Sequence, residues 1–134
     1  MRSRVILSRI VFFLYLVAIC FLLFATSDSL PSVSSTIWGL PTDKVAHFLM
    51  FFPFPILAFM SSDRYSKKIW HPFLFAVVLA VLGGAVAAIT ESIQGLLGYR
   101  SAELADFKVD LVAIALSSLM VLAVDLGCLL KHKC

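Results

Sequence analysis

The sequence predicts an all-α protein, a four-helix transmembrane bundle with both termini in the cytoplasm. Of its 134 residues, 61% are hydrophobic and 14% are charged, whereas soluble domains have about 45–50% apolar and about 25% charged residues. The apolar residues fall into four runs, and the basic residues alternate between the segments that connect them. A chain of this length forms a single domain, here 1–134, and its excess of apolar residues requires lipid as the solvent.

The four apolar runs are each close to the roughly 20 residues that a helix needs to cross a bilayer core. We predict spans at about 5–25, 44–60, 69–93 and 106–130. Because arginines precede the first run, a cleaved signal peptide is an alternative for it. Its apolar core is long for a signal peptide and no A-x-A cleavage site follows, so a retained helix is favoured.

Local sequence signals define the ends and contacts of these helices. The segment 26–42 contains Ser, Thr, Asp, Pro and Gly and is predicted to be a loop, with Thr42 or Asp43 as the N-cap of the second span. Pro53 and Pro55 should kink that span, which neighbouring helices in a membrane bundle tolerate. The third span carries a stripe of small residues suited to close helix packing: Gly83, Gly84, Ala85, Ala87 and Ala88.

The basic residues predict the orientation of the bundle. Eight of the eleven Lys and Arg lie in the N-terminal segment, the second connection and the C-terminal segment. Cytoplasmic segments are enriched in Lys and Arg. This distribution predicts a multi-pass protein of the cytoplasmic membrane with its N- and C-termini inside. The remaining basic residues are Lys44, Arg100 and Lys108.

Polar side chains gather at the opposite, extracytoplasmic ends of the last three spans. Residues three or four positions apart share one face of a helix, and ionisable groups at membrane depth usually face the interior of the bundle or a wet cavity. Three pairs have this spacing: Lys44 with His47, Glu91 with Gln94, and Asp106 with Asp110. We therefore expect the acids Glu91 and Asp106 to pair with the bases Lys44, His47 and Arg100.

The same residues resemble the signature of the VanZ-like membrane proteins. The pattern reads Asp-Lys-x-x-His-Phe at 43–48 and Glu-x-x-Gln at 91–94, followed by Arg100 and then by Asp106 six residues later. The resemblance covers roughly residues 43–117. It implies a bacterial cell-envelope protein, in a family named for a member linked to glycopeptide (teicoplanin) antibiotic resistance. It implies no established reaction.

This chain departs from the family pattern at one position. The family usually has Asn four residues after the Asp and then glycines, whereas this chain has Asp110, followed by Ala113 and Ser117 at the glycine-like positions. An acid in place of an amide adds a negative charge near Asp106, so the site should differ from that of the family. Small residues at 113 and 117 still permit close helix packing.

Three functions fit the cluster. The first is a binding site for an anionic lipid or a lipid-linked envelope precursor, with six candidate ligand-binding residues: Lys44, His47, Glu91, Gln94, Arg100 and Asp106. The second is a hydrolase or transferase acting on a lipid phosphate, with His47, Glu91 and Asp106 as catalytic candidates. The third is a structural or assembly protein whose ion cluster only fixes the helix register.

Other classes of function receive less support from the sequence. The cluster has the residue types of a metal site but neither HxxxH nor HExxH spacing, so we predict no metal and no cofactor. The basic residues are split among short segments, which argues against nucleic-acid binding. Glu103 and Lys108 are expected to be solvated. Besides the lipid bilayer, a second copy of the chain is a conceivable partner, because four helices are few for a transport path.

Overall fold

The structure is a computed structural model that describes residues 2–24, 36–37, 39–62, 68–97 and 103–131. Within these ranges the chain is almost entirely helical. The elements are α1 (Arg2–Phe24), β1 (Thr36–Ile37), β2 (Leu40–Pro41), α2 (Thr42–Phe51), α3 (Pro53–Ser61), α4 (Trp70–Leu97) and α5 (Leu104–Lys131).

Four helical segments among the described residues are long and apolar enough to cross a membrane, which confirms this part of the predicted fold. They are Ser3–Phe24, Thr42–Ser61, Trp70–Leu97 and Leu104–Lys131. The third segment continues one turn beyond the predicted end at residue 93, so Gln94 lies inside α4 and not just beyond its end. The predicted span ended before the polar residue Gln94, but Leu96 and Leu97 continue the helix beyond it.

A short hairpin precedes the second span, in a segment predicted to be a loop. β1 and β2 pair antiparallel, with Ile37 opposite Leu40. Gly39 lies in the turn with φ +79°, a backbone conformation that glycine adopts without steric cost. The hairpin leads directly into α2, because Pro41 both ends β2 and occupies the N-cap position of the helix.

The second span is interrupted where the sequence predicted a kink. Pro53 and Pro55 have no N–H group to donate to the carbonyls one turn earlier, and the assigned helix breaks at Phe52 although that residue keeps α-helical backbone angles. The Tyr15 hydroxyl of α1 donates a hydrogen bond to the Met50 carbonyl beside this break. A side chain from a neighbouring helix thus satisfies a backbone carbonyl at the kink, as lipid-embedded helices require.

The small residues of α4 form the contact with α5 only in part. Gly83 is buried, and a Cβ built on it would lie 3.0 Å from Cγ2 of Ile114. Ala87 is fully buried in the same core cluster as Ile114. Ala85 and Ala88 are exposed on the other side of the helix. The close contact with α5 therefore includes Gly83 and Ala87, which are four residues apart, but not these two alanines.

The outer surface of the bundle is apolar, as a lipid solvent requires. Large hydrophobic side chains on all four spans are more than half exposed, among them Phe13, Leu49, Val81 and Leu119. The buried core lies between the helices: Ile19, Leu23, Phe51, Ala87, Ala113 and Ile114. At the end of the bundle where α1 begins and α3 ends, Arg9 Nε donates to the Ser61 carbonyl at 3.1 Å.

Candidate functional site

The charged side chains of three helices meet at the opposite end of the bundle, where α2 and α5 begin and α4 ends. Since α4 and α5 are joined by a short connection, the last turns of one and the first turns of the other lie side by side. We call this group of side chains the helix-end cluster: Lys44 and His47 of α2, Glu91 of α4, Glu103 immediately before α5, and Asp106 and Asp110 of α5.

Lys44 connects α2 to the start of α5. Its Nζ lies 2.8 Å from Oδ1 of Asp106 and 3.1 Å from Oε2 of Glu103. The two carboxylates differ in environment, since the side chain of Asp106 is 4% exposed and that of Glu103 is 53% exposed. The Lys44–Asp106 contact confirms the predicted pairing. Glu103 is exposed, as predicted, but it also shares the lysine ammonium.

His47 and Asp110 form the most buried polar contact of the cluster. The Nδ1 atom of His47 lies 3.1 Å from Oδ1 and 3.3 Å from Oδ2 of Asp110, and the two side chains are only 2% and 1% exposed. Removing such groups from water is costly unless they are paired. Asp110 thus fixes the orientation of the imidazole ring, although the sequence marked this residue only by its spacing from Asp106 and as a departure from a family pattern.

Glu91 receives a backbone hydrogen bond in the structure. The N–H of Glu103 donates to Oε1 of Glu91 at 2.6 Å, and Glu91 is half-buried. The carbonyl of Glu103 in turn accepts the N–H groups of Asp106 and Phe107 in the first turn of α5. Glu91 therefore holds the residue that immediately precedes α5, whereas its expected pairing with Arg100 lies outside the described residues.

Gln94 lies one turn beyond Glu91 but binds a different helix. Its Nε2 donates to the Leu23 carbonyl at 2.8 Å, and Gln94 is 2% exposed. Leu23 lies in the last turn of α1, where backbone carbonyls have no partner within their own helix. The structure thus gives Gln94 the role of connecting the ends of α1 and α4, apart from the charged contacts of the helix-end cluster.

The predicted N-cap of the second span was wrong. Pro41 occupies the N-cap position, so Thr42 and Asp43 are already helical residues, and no side-chain hydrogen bond caps the helix. The cause is the hairpin, whose second strand keeps Pro41 in extended backbone with φ −56° and ψ 128° up to the first helical residue. Asp43 lies in the first turn of α2, where a negative charge interacts favourably with the helix dipole.

Two further expectations concern single residues. Arg100, a predicted ligand-binding residue, lies outside the described residues. Lys108 is exposed on α5, as expected. The sequence therefore located five of the candidate ligand-binding residues at one end of the bundle, but the hydrogen bonds that the structure describes for His47 and Glu91 depend on helix contacts that sequence spacing does not reveal.

The cluster also contains side chains whose ligand atoms are close enough to share a metal ion. Among the described residues, two groups have ligand atoms within 4.8 Å of one another: Asp43, His47 and Asp106, and His47, Glu91 and Asp110. Both groups contain one imidazole and two carboxylates. Chemically, the site can therefore offer an ammonium to an anion, a carboxylate-oriented imidazole to a proton, or mixed nitrogen and oxygen ligands to a cation.

The fold and the cluster define a class: a multi-pass membrane protein with a polar site at one end of its helix bundle. Comparison with models of protein families, with curated proteins and with solved structures finds no match to this chain.

Proposed function

We propose that this chain is a VanZ-like protein of the cell envelope that binds the anionic headgroup of a lipid or of a lipid-linked precursor. In this proposal it lies in the cytoplasmic membrane with both termini inside, and the helix-end cluster faces the extracytoplasmic side. The basic residues of the sequence support this orientation. The sequence resemblance described above supports the envelope role and an influence on glycopeptide susceptibility.

The observation that carries the proposal is the environment of Lys44. Its side chain is 29% exposed, and its ammonium bonds one buried carboxylate, Asp106, and one exposed carboxylate, Glu103. A phosphate oxygen of a headgroup would replace the exposed carboxylate, while Asp106 continues to hold the ammonium in place. Arg100, three residues before Glu103 in the sequence, would provide a second cation, and Arg recognises phosphate through two parallel hydrogen bonds.

Lipid binding to the purified protein tests this proposal. We expect the protein to bind labelled phosphatidylglycerol in preference to zwitterionic phosphatidylcholine. Lys44→Gln and Arg100→Ala should each weaken binding about tenfold or more, the scale of a lost hydrogen bond to a charged group. Glu103→Gln should strengthen binding, because it removes the competing carboxylate. Lys108→Gln is the matched control, since this exposed lysine lies near the same end of the bundle.

The outcome that contradicts the proposal is equally specific. If Lys44→Gln and Lys108→Gln bind every anionic lipid as the wild type does, the cluster is no headgroup site. A structural role then gains support, in which the buried pairs only fix how the helices fit together. The glycopeptide susceptibility of cells carrying wild type, His47→Ala or Glu91→Gln gives a separate test, since a purely structural role predicts no change at equal protein abundance.

A second candidate function, hydrolysis or transfer of a lipid phosphate, is favoured by the His47–Asp110 contact. A carboxylate on one imidazole nitrogen orients the ring for proton transfer at the other, as in the triads of hydrolases. Asp110 stands in that relation to Nδ1 of His47 at 3.1 Å, with Glu91 and Asp106 as further catalytic candidates. Turnover of lipid phosphates that is lost in Glu91→Gln supports this function, and no turnover across a lipid panel counts against it.

A further inference from the structure

Three helices contribute one potential metal ligand each to a compact group in the helix-end cluster. His47 of α2, Glu91 of α4 and Asp110 of α5 have ligand atoms within 4.8 Å of one another. The closest separation, from Nδ1 of His47 to Oδ1 of Asp110, is 3.1 Å. Two ligands bound at about 2.0–2.2 Å to one ion lie about 3–3.5 Å apart. This pair already has that spacing, and a ligand atom of Glu91 lies within 4.8 Å of both.

Among the described residues, the carboxylates around this group outnumber the basic side chains. Within the described part of the cluster, Lys44 is bonded to Asp106 and Glu103. In the part of the chain that the structure describes, Glu91 accepts from one backbone N–H, and Asp110 is hydrogen-bonded to one imidazole. Carboxylates at membrane depth are costly without a compensating cation. A divalent ion between them would supply such a cation, and this support for an ion is separate from the spacing of the ligand atoms.

The overlapping group is a poorer candidate for the same ion. Asp106 belongs to it, and the ammonium of Lys44 lies 2.8 Å from the Asp106 carboxylate, where it would repel a cation. Asp43, its third member, is exposed. Glu91, by contrast, is oriented by the Glu103 N–H at 2.6 Å, and ligating carboxylates are commonly held by such hydrogen bonds.

We propose that His47, Glu91 and Asp110 bind one divalent first-row transition-metal ion. One imidazole and two carboxylates suit ions such as Mn²⁺, Fe²⁺ or Zn²⁺. Three protein ligands leave coordination positions for water or another ligand. The sequence spacing predicted no metal because the three residues lie on three different helices. The inference goes beyond the proposed lipid binding, and the ion alone tests it.

The test uses Mn²⁺ as the probe, because this ion prefers oxygen and imidazole ligands over the thiols of the cysteines. The full chain, purified without a histidine tag and treated with a chelator, is titrated with Mn²⁺ and followed by electron paramagnetic resonance and calorimetry. We expect one ion per chain and a thermal midpoint that rises with ion concentration, since a ligand of the folded state stabilises it.

Conservative variants identify the ligands without removing side chains from the core. Glu91→Gln and Asp110→Asn should each weaken Mn²⁺ binding at least about tenfold, the lower limit for loss of even a residue that supports a ligand. Asp125→Asn is the matched control, because it is a buried carboxylate on the same helix at the opposite end. Lys44→Gln should leave ion binding intact or strengthen it, although it weakens lipid binding in the proposed function.

The results separate the two proposals. Absence of Mn²⁺ binding by the wild type overturns the metal site, as does unchanged binding in both Glu91→Gln and Asp110→Asn. An equal loss in Asp125→Asn also overturns it, because binding would then follow total charge and not these three residues. Lipid binding is measured separately, with and without Mn²⁺. If the protein binds Mn²⁺ but no anionic lipid, only the headgroup proposal fails. If it binds the lipid but not Mn²⁺, only the metal site fails.

Discussion

His47 and Asp110 are joined across 63 positions of sequence by a contact that is almost completely shielded from solvent. A buried polar group that loses its partner keeps the full cost of its removal from water. Whether the side chain at position 110 has an oxygen that accepts a hydrogen bond therefore matters more than whether that side chain is charged. An amide oxygen could still accept the Nδ1–H of His47, whereas a methyl group could not.

We predict that Asp110→Ala lowers the free energy of unfolding by about 3–5 kcal/mol, the scale for removing one partner of a buried pair. Asp110→Asn should lower the free energy of unfolding much less, because its amide oxygen keeps a hydrogen bond with the imidazole. Thermal unfolding of the purified variants in detergent, without added metal, measures both changes. Equal losses in the two variants would mean that charge, and not the hydrogen bond, stabilises this contact.

Gln94 gives a second prediction for a single residue. Its amide donates to the Leu23 carbonyl at the end of α1, so Gln94→Leu should lower stability by about 1 kcal/mol, the usual net contribution of one hydrogen bond. Gln94→Glu should lower stability further, because a carboxylate oxygen would then face the Leu23 carbonyl, and both are acceptors in a buried site. Ser92→Ala serves as the control, since Ser92 is exposed and bonds only a carbonyl of its own helix. The comparison is made by thermal unfolding in detergent.

At the scale of elements, the contact between α4 and α5 depends on the absence of a side chain at Gly83. An added Cβ would lie 3.0–3.2 Å from three atoms of Ile114, which is itself 1% exposed and cannot move easily. In membranes, small residues allow helices to approach without a strong hydrophobic driving force. The close approach of these two helices also positions Glu91 beside the start of α5.

We predict that Gly83→Ala destabilises the bundle by about 1–3 kcal/mol, as overpacking of a filled core does. Gly127→Ala on α5 is the matched control, because a Cβ there meets no atom within 4 Å. This control should unfold at the wild-type temperature or above it, since alanine favours a helix more than glycine does. If both variants unfold at the same temperature, the glycine is not required for this helix contact.

The elements themselves follow from the sequence more directly than their contacts do. Spans are predictable because lipid demands apolar segments of fixed length, and the break at Phe52 follows from prolines that lack an N–H group. The pairing of His47 with Asp110 depends on how α2 packs against α5, which no local pattern encodes. The start of α2 was misplaced because Pro41 belongs to a two-residue strand, too short to leave a sequence pattern.

For the whole molecule, the two ends of the bundle differ in chemistry. One end carries the helix-end cluster, with buried acids and half-buried Lys44. At the other end, Arg9 donates a hydrogen bond to the Ser61 carbonyl, and Asp125 is a buried acid. Such asymmetry gives the protein a direction in the membrane, so the side on which the cluster lies decides which ligands reach it.

We predict that the cluster lies on the extracytoplasmic side, because most basic residues lie in segments at the other end. Single cysteines replace exposed residues at the two ends, Ile69→Cys and Leu104→Cys, in a background without native cysteines. A membrane-impermeant maleimide added to intact cells should label position 104, and position 69 only after permeabilisation. The reverse pattern would place the cluster in the cytoplasm and exclude an extracytoplasmic headgroup as its ligand. Labelling at both positions in intact cells would show that the chain inserts in two orientations.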